Sequence, residues 1–320
     1  MRPSTTEPCR RPASRGAVLV LTLVILMAVA AMVVESVRGT YESSLEARRL
    51  AAEYQADLLA ESLLDAAKAL LIAGDEEANA DIPKEEWAEP VEARDGSYKM
   101  RITPCNSRLD LNRLADNTRL DEAVRTLLED NGKSADAASA LLDWTDADTE
   151  PSQSGAERNA YLQNNLDYKP KNGALDTVEE ALLVLGWQDV DLNFLRNHFT
   201  AWSSKEPNIN FCNKNVFEAY LPEIADSWAE VRSYRKRHGF TSKDDLKTAI
   251  PDLEDDPALW KEISDAVSLQ SWYFEVVIEV RLPLVYELRR YILLRKLILA
   301  NLAPSVIRCD VLKITPSANE

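Results

Sequence analysis

With 320 residues, of which 46% are hydrophobic, the chain is long enough to bury a core, either as one large domain with an insertion or as two smaller domains. Such a composition excludes an intrinsically disordered protein. The formal net charge of −16 repels nucleic-acid phosphates and anionic lipid, and it favours cationic or divalent-metal partners. A function based on binding nucleic acid is therefore disfavoured from the outset.

The N-terminal segment decides the topology. Its first 16 residues are basic, with Arg2, Arg10, Arg11 and Arg15 against a single acid, Glu7. From Ala17 to Val34 no residue is charged, and a helix of this length rises about 27 Å, close to the hydrocarbon thickness of a bilayer. We predict one membrane span, which includes Leu21. Because arginines precede the span and Glu35 follows it, we expect a cytoplasmic N-terminus and a periplasmic bulk, as in a single-pass protein of a bacterial inner membrane.

A cleaved secretory signal peptide is the alternative to an anchor, because Ala28-Val29-Ala30 offers a small-x-small cleavage site. Helical character continues past that site to about Ala73, however, with Gly74 as the expected stop. Apolar residues fall mostly at three- and four-residue steps in this continuation, at Val37, Tyr41, Leu45, Tyr54, Leu58, Leu63, Leu70 and Leu71. The pattern predicts one helix with an apolar half in lipid and an amphipathic half outside it.

A short basic leader that ends in Gly16 and leads directly into an apolar helix resembles the type III signal of pilins and pseudopilins, which a prepilin peptidase cuts after that glycine. The resemblance implies a mature chain that begins at a methylated Ala17. Most such subunits have a glutamate at the fifth mature position, assigned to pairing with the amino terminus of a neighbouring subunit, whereas this chain has Leu21 there. A subunit at the end of a filament has no use for that carboxylate. In this respect the chain resembles the K-type minor pseudopilin of type II secretion.

Strand patterns lie on both sides of a long helical stretch. Residues 98–102 alternate apolar and polar side chains, and strand patterns return at 272–282 and 306–314. Residues 284–299 fit either a strand or a helix by periodicity, and the resemblance to the K-type family favours a strand. The residues between about 120 and 267 have a helical pattern. The acidic connection at 75–97, which contains Pro83, Pro90 and Gly96, is expected to have little regular structure.

These elements predict an α+β fold in which a pilin-like long N-terminal helix packs on an antiparallel sheet and a large all-α domain is inserted into the sheet. We expect four segments: a prepilin-type leader at 1–16, the transmembrane and amphipathic helix at 17–73, the pilin-like sheet domain at 74–110 plus 272–320, and the helical insertion domain at 111–271. The resemblance to K-type pseudopilins implies the same arrangement and covers nearly the whole chain.

The densest group of carboxylates follows Asp143. If Asp146 is counted as the first position of a calcium loop, Asp146, Asp148, Glu150 and Glu157 fall at positions one, three, five and twelve. The sixth position is Pro151, where an EF-hand needs glycine, so a true EF-hand is disfavoured. A solvated acidic loop with helix-capping aspartates is the alternative without a metal.

The run D-W-x-D-x-D followed by G-A-E also resembles a stretch typical of K-type pseudopilins, a family that binds calcium in its α-domain. The resemblance implies a structural calcium ion here. The ligand candidates are Asp143, Asp146, Asp148 and Glu157.

Two stretches, 179–187 and 238–246, resemble helix-hairpin-helix motifs, whose glycine amides contact phosphate in nucleic-acid binders. The acidic charge of the chain favours a packing function for both instead. The turn at 207–210, Pro-Asn-Ile-Asn, resembles an asparagine turn found at this point in K-type pseudopilins.

The sequence offers little material for catalysis. Its two histidines, His198 and His238, are 40 positions apart, and no G-x-S-x-G, H-E-x-x-H or phosphate-binding glycine loop occurs. We therefore predict that the chain is not an enzyme, and that His198 lies at the edge of a core beside Phe194 and Phe199. Besides Cys9 in the leader there are Cys105, Cys212 and Cys309, an odd number that leaves any disulfide pairing open.

The leading hypothesis is a minor pseudopilin at the tip of the type II secretion pseudopilus, which helps to initiate assembly and the export of folded proteins across the outer membrane. The resemblance implies several partners: minor pseudopilins of the I and J types, the major pseudopilin, prepilin peptidase and the inner membrane, but no nucleic acid. Two alternatives are a signal-anchored periplasmic metal-dependent hydrolase that uses the acidic loop and a competence-type pseudopilin that binds DNA.

Overall fold

The computed structural model describes residues 15–73, 80–83, 86–203, 205–295 and 304–314. By contacts between residues, the chain divides into two compact units, Met1–Gln55 and Ala56–Glu320. Helix α1, Arg15–Ala73, begins in the first unit and ends in the second. Most of the predicted leader and the expected stop at Gly74 lie outside the described residues.

In the first unit, α1 exposes its apolar side chains. It is the one helix in the described part of the chain that is long and apolar enough to cross a membrane. The stretch between Val18 and Val34 contains no buried residue, and Leu21 is 59% exposed. The predicted span therefore coincides with a helix whose apolar surface is uncovered in the isolated chain.

In the second unit, α1 buries a face made of three alanines and three leucines, namely Ala56, Ala60, Leu63, Leu64, Ala67 and Leu71. Asp57 forms ion pairs with Arg289 and Lys313 of the sheet, so this end of the helix lies against the sheet. Leu58, one of the apolar residues in the sequence pattern, lies off this face and is 54% exposed. The alanines on this face have short side chains, which allow the helix to approach its neighbours closely.

The main sheet has five antiparallel strands in the order β1-β2-β5-β6-β7. They are β1, Val91–Glu92; β2, Tyr98–Pro104; β5, Tyr273–Leu282; β6, Val285–Leu294; and β7, Ser305–Ile314. Ile102 of β2 pairs with Val276 of β5, so strands from the two ends of the chain meet at the centre of the sheet. This pairing confirms the predicted sheet that is interrupted by a helical stretch.

The ambiguous segment at 284–299 is a strand as far as Leu294, and residues 296–299 lie outside the described chain. Pro283 and Leu284 form a two-residue turn between β5 and β6, because Leu282 pairs directly with Val285. Leu284 has a φ of +74°, a conformation that normally favours glycine. For that reason the turn was hard to predict from the sequence.

The connection at 75–97 has more structure than expected. It contains a 3₁₀ turn, Glu86–Ala88, and the short strand β1. The Trp87 ring is buried with centroids 5.2 Å from the rings of Phe211 and Phe274. One buried tryptophan thus anchors a segment whose composition indicated a loop.

The described residues between β2 and β5 form nine short α-helices, with further 3₁₀ turns between several of them. The helices are α2, Thr118–Asp130; α3, Asp136–Thr145; α4, Arg158–Gln163; α5, Leu192–His198; α6, Lys214–Tyr220; α7, Trp228–Arg237; α8, Asp245–Ala249; α9, Asp252–Asp255; and α10, Pro257–Ala266. Two residues of β3, Leu109–Asp110, pair in parallel with β4, Phe199–Thr200. The helical pattern missed this small parallel pair. It also missed the 3₁₀ geometry at Val178–Leu183.

Buried asparagines hold the irregular segments between these helices. Asn210 Nδ2 donates to the carbonyls of Asp81 and Phe240 at 2.8 Å each, and Asn210 Oδ1 accepts the Phe240 N–H at 2.8 Å. Asn208 Oδ1 accepts the Asn210 N–H at 3.0 Å, which confirms the predicted asparagine turn. Side-chain amides thereby satisfy backbone groups that regular structure would otherwise pair.

A ring of charges joins the helical segment to the sheet. Glu275 of β5 is paired with Arg108 at 2.9 Å and with Arg290 of β6 at 3.1 Å. Glu179 Oε1 is 2.7 Å from both Arg290 and Arg196. Arg108 closes the ring by donating to the Arg196 carbonyl at 3.1 Å.

Candidate metal centre

Three of the four predicted ligands, Asp146, Asp148 and Glu157, lie in the loop that connects α3 to α4, and Asp143 lies in the last turns of α3. Helix α3 ends at Thr145, and the extended backbone of Asp146 then turns the chain out of the helix. Glu157 precedes α4, also with an extended backbone. The two helix ends therefore fix the first and last candidate carboxylates, and the residues between them form a turn.

Three of the four predicted ligands come together. Asp146, Asp148 and Glu157 each offer a carboxylate oxygen, and these oxygens all lie within 4.8 Å of one another. Calcium binds oxygen ligands at about 2.3–2.6 Å, so oxygens on opposite sides of one ion lie at most about 5 Å apart. The spacing therefore fits a single cation.

Two of these carboxylates have a buried oxygen without a hydrogen-bond partner among the described residues, namely Asp146 Oδ1 and Glu157 Oε1. A buried acceptor without a partner is costly, and a bound cation would satisfy it. Burial raises the pKa of Asp146, and the charges of Asp148 and Asp143 raise it further. Burial also raises the pKa of Glu157, although a hydrogen bond from the Arg158 backbone N–H opposes this shift. The donor set and its electrostatics fit a hard divalent cation such as calcium.

Asp143, the fourth candidate, does not belong to this group. It is completely buried in α3, and both of its carboxylate oxygens accept the Ser152 N–H, at 3.0 and 3.2 Å. Sequence reasoning did not predict the contact with Ser152 or the close approach of Gly155 to the same carboxylate. Gly155, the glycine in the G-A-E run, was the feature of the sequence that could have indicated this close approach.

The loop is supported from one side by aromatic residues and by the segment that follows α4. The Trp144 ring lies 5.8 Å from the Tyr161 ring and donates from Nε1 to Glu180 at 3.1 Å. Asn172 donates to the Asp148 carbonyl, and the Gly173 N–H donates to the Trp144 carbonyl at 3.3 Å. Trp144 is thus held at the end of α3, two positions before Asp146 in the chain.

In the second predicted hairpin the Gly239 N–H donates to the Arg235 carbonyl at 3.1 Å, and the amides that follow the glycine are also occupied. Asp245 Oδ2 accepts the Thr241 N–H at 2.8 Å and the Ser242 N–H at 3.0 Å. Gly239 has a φ of +76°, and a Cβ atom there would lie 3.0 Å from Ile82. The geometry supports the predicted packing function, and the absence of a nucleic-acid partner stays a prediction.

His198 is a core-edge residue, as predicted. Its Nδ1 lies 2.8 Å from the Phe194 carbonyl and its Nε2 lies 3.2 Å from Asn215 Nδ2. The ring is 4.3 Å from the Phe194 ring, centroid to centroid. Burial lowers the pKa of His198. With both nitrogens in hydrogen bonds, the side chain is poorly placed to bind a metal.

The described cysteines are not paired. Cys105 and Cys212 are buried as free thiols, and Cys309 is an exposed free thiol on β7. Burial raises the pKa of Cys105 to about 12 and that of Cys212 to about 11. Protonated thiols of this kind are inert as nucleophiles and behave as small apolar side chains.

Residues 107–204 match the family described as type II secretion system (T2SS), protein K. This segment belongs to the protein K family. It contains the whole loop from Asp143 to Glu157, so the carboxylate cluster lies in the part of the chain that carries the family match. The match confirms the resemblance to K-type minor pseudopilins that was based on the leader, Leu21 and the acidic run.

A solved structure supports the same assignment at the level of the fold. A chain in "The Crystal Structure of the GspK-GspI-GspJ complex from enterotoxigenic Escherichia coli Type 2 Secretion System" superposes with a TM-score of 0.68 at 17% sequence identity. The alignment covers 83% of this chain and 99% of that one. The comparison confirms the pilin-like fold with a helical insertion. No curated protein sequence matches the chain.

Proposed function

We propose that this K-family chain is a non-catalytic minor pseudopilin that lies at the tip of the type II secretion pseudopilus, where it helps to initiate assembly and the export of folded proteins across the outer membrane. The observation that carries the proposal is the protein K match within a pilin-like fold. The helical segment between β2 and β5 is bulky for a repeating shaft, which favours the tip. The match does not favour a hydrolase or a DNA-binding protein.

The absence of a fifth-position glutamate supports the same location. With Leu21 in place of a carboxylate, the chain lacks the group that shaft subunits use to pair with a neighbour's amino terminus. Leu21 is exposed in the isolated helix and matches a lipid environment without cost. A subunit that caps the filament would lose nothing by this substitution.

The partners are proposed to be I-type and J-type minor pseudopilins, the two other chains named in the complex that contains the structural relative. Beyond the predicted span, the first unit leaves large apolar side chains uncovered, namely Val37, Tyr41, Leu50 and Tyr54, which are 55–69% exposed. Side chains of this kind suit lateral packing against other helices. In the proposed cycle, prepilin peptidase first cuts between Gly16 and Ala17 in the inner membrane, and the major pseudopilin then extends the filament below the tip.

Reconstitution tests this proposal. The full-length chain, co-expressed with I-type and J-type minor pseudopilins and prepilin peptidase, is expected to co-purify with both from solubilised membranes and to have Ala17 as its first residue by mass spectrometry. Labels on the helical segment should appear only at filament ends in electron micrographs. Labels distributed along the shaft, or no complex at all, would contradict the proposal.

We further propose that the carboxylate cluster binds a structural calcium ion. Its ligands are Asp146, Asp148 and Glu157, with Asp143 beside them. The two buried oxygens without partners and the mutual spacing of the carboxylates support this proposal. The ion would offset two of the three converging negative charges and fix the loop between α3 and α4.

Terbium luminescence tests the calcium proposal, since Trp144 is two positions from Asp146 in the chain and can sensitise a lanthanide bound there. The full-length chain in detergent should show tryptophan-sensitised terbium emission that calcium displaces. Asp146→Asn should weaken binding strongly, whereas Asp130→Asn, an exposed aspartate at the end of α2, is the control that should not. Equal emission from both variants would show that the ion binds elsewhere.

A further inference from the structure

Asp143, at the end of α3 before this loop, is unusual because its carboxylate is completely buried and yet faces no cation among the described residues. No ion pair of Asp143 occurs among the described residues, and its hydrogen-bond partner there is a backbone amide, the Ser152 N–H. A buried carboxylate generally requires such a partner. The contact links the last turns of α3 to the middle of the loop, nine positions further along the chain.

Gly155 fits the space directly against this carboxylate. A Cβ atom at position 155 would lie 2.7 Å from Asp143 Cγ and 2.8 Å from Oδ1, and closer still to Oδ2. The Gly155 N–H donates to the Ser152 carbonyl at 2.8 Å, which closes a tight turn, and Ser154 in that turn has a φ of +63°. Any side chain at 155 would therefore displace the Asp143 carboxylate or open the turn.

We propose that Asp143 is a positioning residue of the calcium loop and not one of its ligands, and that Gly155 is the residue that permits this arrangement. By accepting the Ser152 N–H, Asp143 fixes the turn between Asp148 and Glu157. The carboxylates before and after the turn therefore face one another. The inference rests on the proposed calcium site. It assigns distinct roles to acids that the sequence motif treats alike.

The geometry separates the two roles. The oxygens that converge within 4.8 Å come from Asp146, Asp148 and Glu157, and the Asp143 oxygens are directed to the Ser152 amide. The ligand candidates Asp146 and Glu157 have buried oxygens without partners, whereas neither oxygen of Asp143 does. The oxygens of a metal ligand are expected to have lone pairs free to bind the ion. The oxygens of a positioning group are expected to accept hydrogen bonds from the protein instead.

Europium luminescence lifetimes in H₂O and D₂O, which count the water molecules bound to the metal, distinguish a ligand from a positioning residue. The measurements use the full-length chain in detergent with europium alone as the probe. Asp143→Ala is expected to weaken europium binding by about 10- to 100-fold without adding a bound water, as for other residues that orient ligands. Asp146→Ala, the reference for a lost ligand, should add one.

Gly155→Ala provides a second variant that keeps every carboxylate. It should weaken europium binding in the same way and also leave the water count unchanged, whereas Gly173→Ala, where a Cβ meets nothing within 4 Å, should have no effect. Circular dichroism at saturating europium verifies that each variant is folded, and Asp143→Asn replaces Asp143→Ala if the latter is not.

An added water in folded Asp143→Ala would overturn the inference, because it would make Asp143 a ligand. Unchanged affinity in both Asp143→Ala and Gly155→Ala would also overturn it, because the contact would then have no effect on the metal. Failure of the unmodified chain to bind europium or terbium would instead refute the calcium proposal itself.

Discussion

Arg108 donates a hydrogen bond of 2.9 Å from its guanidinium to Glu275 Oε2, across 167 positions of sequence. Both side chains are largely buried, and they belong to the charged ring that connects the helical segment to β5 and β6. Removing one partner of a buried ion pair leaves the other charge desolvated, which costs about 3–5 kcal/mol.

Glu275→Gln is therefore expected to lower the free energy of unfolding by roughly 3 kcal/mol, because Arg108 and Arg290 would lose their shared carboxylate. Urea denaturation of the detergent-solubilised chain, followed by tryptophan fluorescence, measures the change. The control is Glu279→Gln on the same strand, whose partner Arg281 is exposed, and it should change stability by at most about 0.5 kcal/mol. Equal effects of the two variants would contradict a structural role for the ring.

Asn210 is expected to be the most sensitive of the polar core residues. Asn210→Ala would leave the Asp81 carbonyl and both backbone groups of Phe240 without their present partner, at about 1–3 kcal/mol for each buried group. Thermal unfolding should therefore shift to markedly lower temperature. Asn193→Ala, an exposed position in α5, is the matched control, and a shift as large in that variant would show that the buried amide has no special role.

Asp110 should make stability depend on pH. Its side chain is buried, and burial raises its pKa to about 7, against the effect of a hydrogen bond from the Asn112 N–H. Because the folded-state pKa lies above the unfolded value of about 3.9, folding favours the protonated form, and stability falls as pH rises between these values.

Asp110→Asn removes this titration and still accepts the Asn112 N–H. The variant should be more stable than the unmodified chain above about pH 7, by at most roughly 4 kcal/mol, and the difference should disappear near pH 4. Melting temperatures across that range measure it, with the exposed Asp116→Asn as control. A difference that grows toward acid pH would contradict the raised pKa.

Calcium removal should destabilise the chain at neutral pH and have little effect in acid. Saturation at 100 times the dissociation constant stabilises a folded protein by about 2.7 kcal/mol, which a chelator would abolish. Because the pKa values of Asp146 and Glu157 are raised, protons compete with the ion at higher pH than they would for exposed carboxylates. Calorimetric melting temperatures with calcium and with chelator should converge as pH falls, and a constant difference would exclude these carboxylates as ligands.

Local patterns were sufficient to predict the elements but not the contacts between them. The uncharged run after Gly16 and the alternation at 98–102 predicted α1 and β2, because hydrophobic periodicity is a property of neighbouring residues. The buried face of α1 was not apparent in the sequence, because Ala56 and Ala60 contribute less to a hydrophobic pattern than the exposed Leu58. Small side chains are favoured where a helix packs closely against another element, and the sequence alone does not show where such packing occurs.

The candidate site divides in the same way. Alternate spacing predicted that Asp146 and Asp148 would face one ion, and the turn brings Glu157 to them. The hydrogen bond from Ser152 to Asp143 depends on the path of the loop, so the motif could not separate Asp143 from the other acids. The partnership of Arg108 with Glu275 was equally inaccessible, because no local pattern relates residues so distant in the chain.

The pairing of Ile102 with Val276 makes the sheet one of the last parts of the chain to form during synthesis. Strand β2 is synthesised before every helix of the intervening segment. Until β5 is made, one edge of β2 has no partner strand and the other pairs only with the two residues of β1. Contacts this distant in sequence close slowly, and an open apolar strand is prone to wrong pairing in the meantime. The intervening helices can fold first and bring the two ends of the interrupted sheet together.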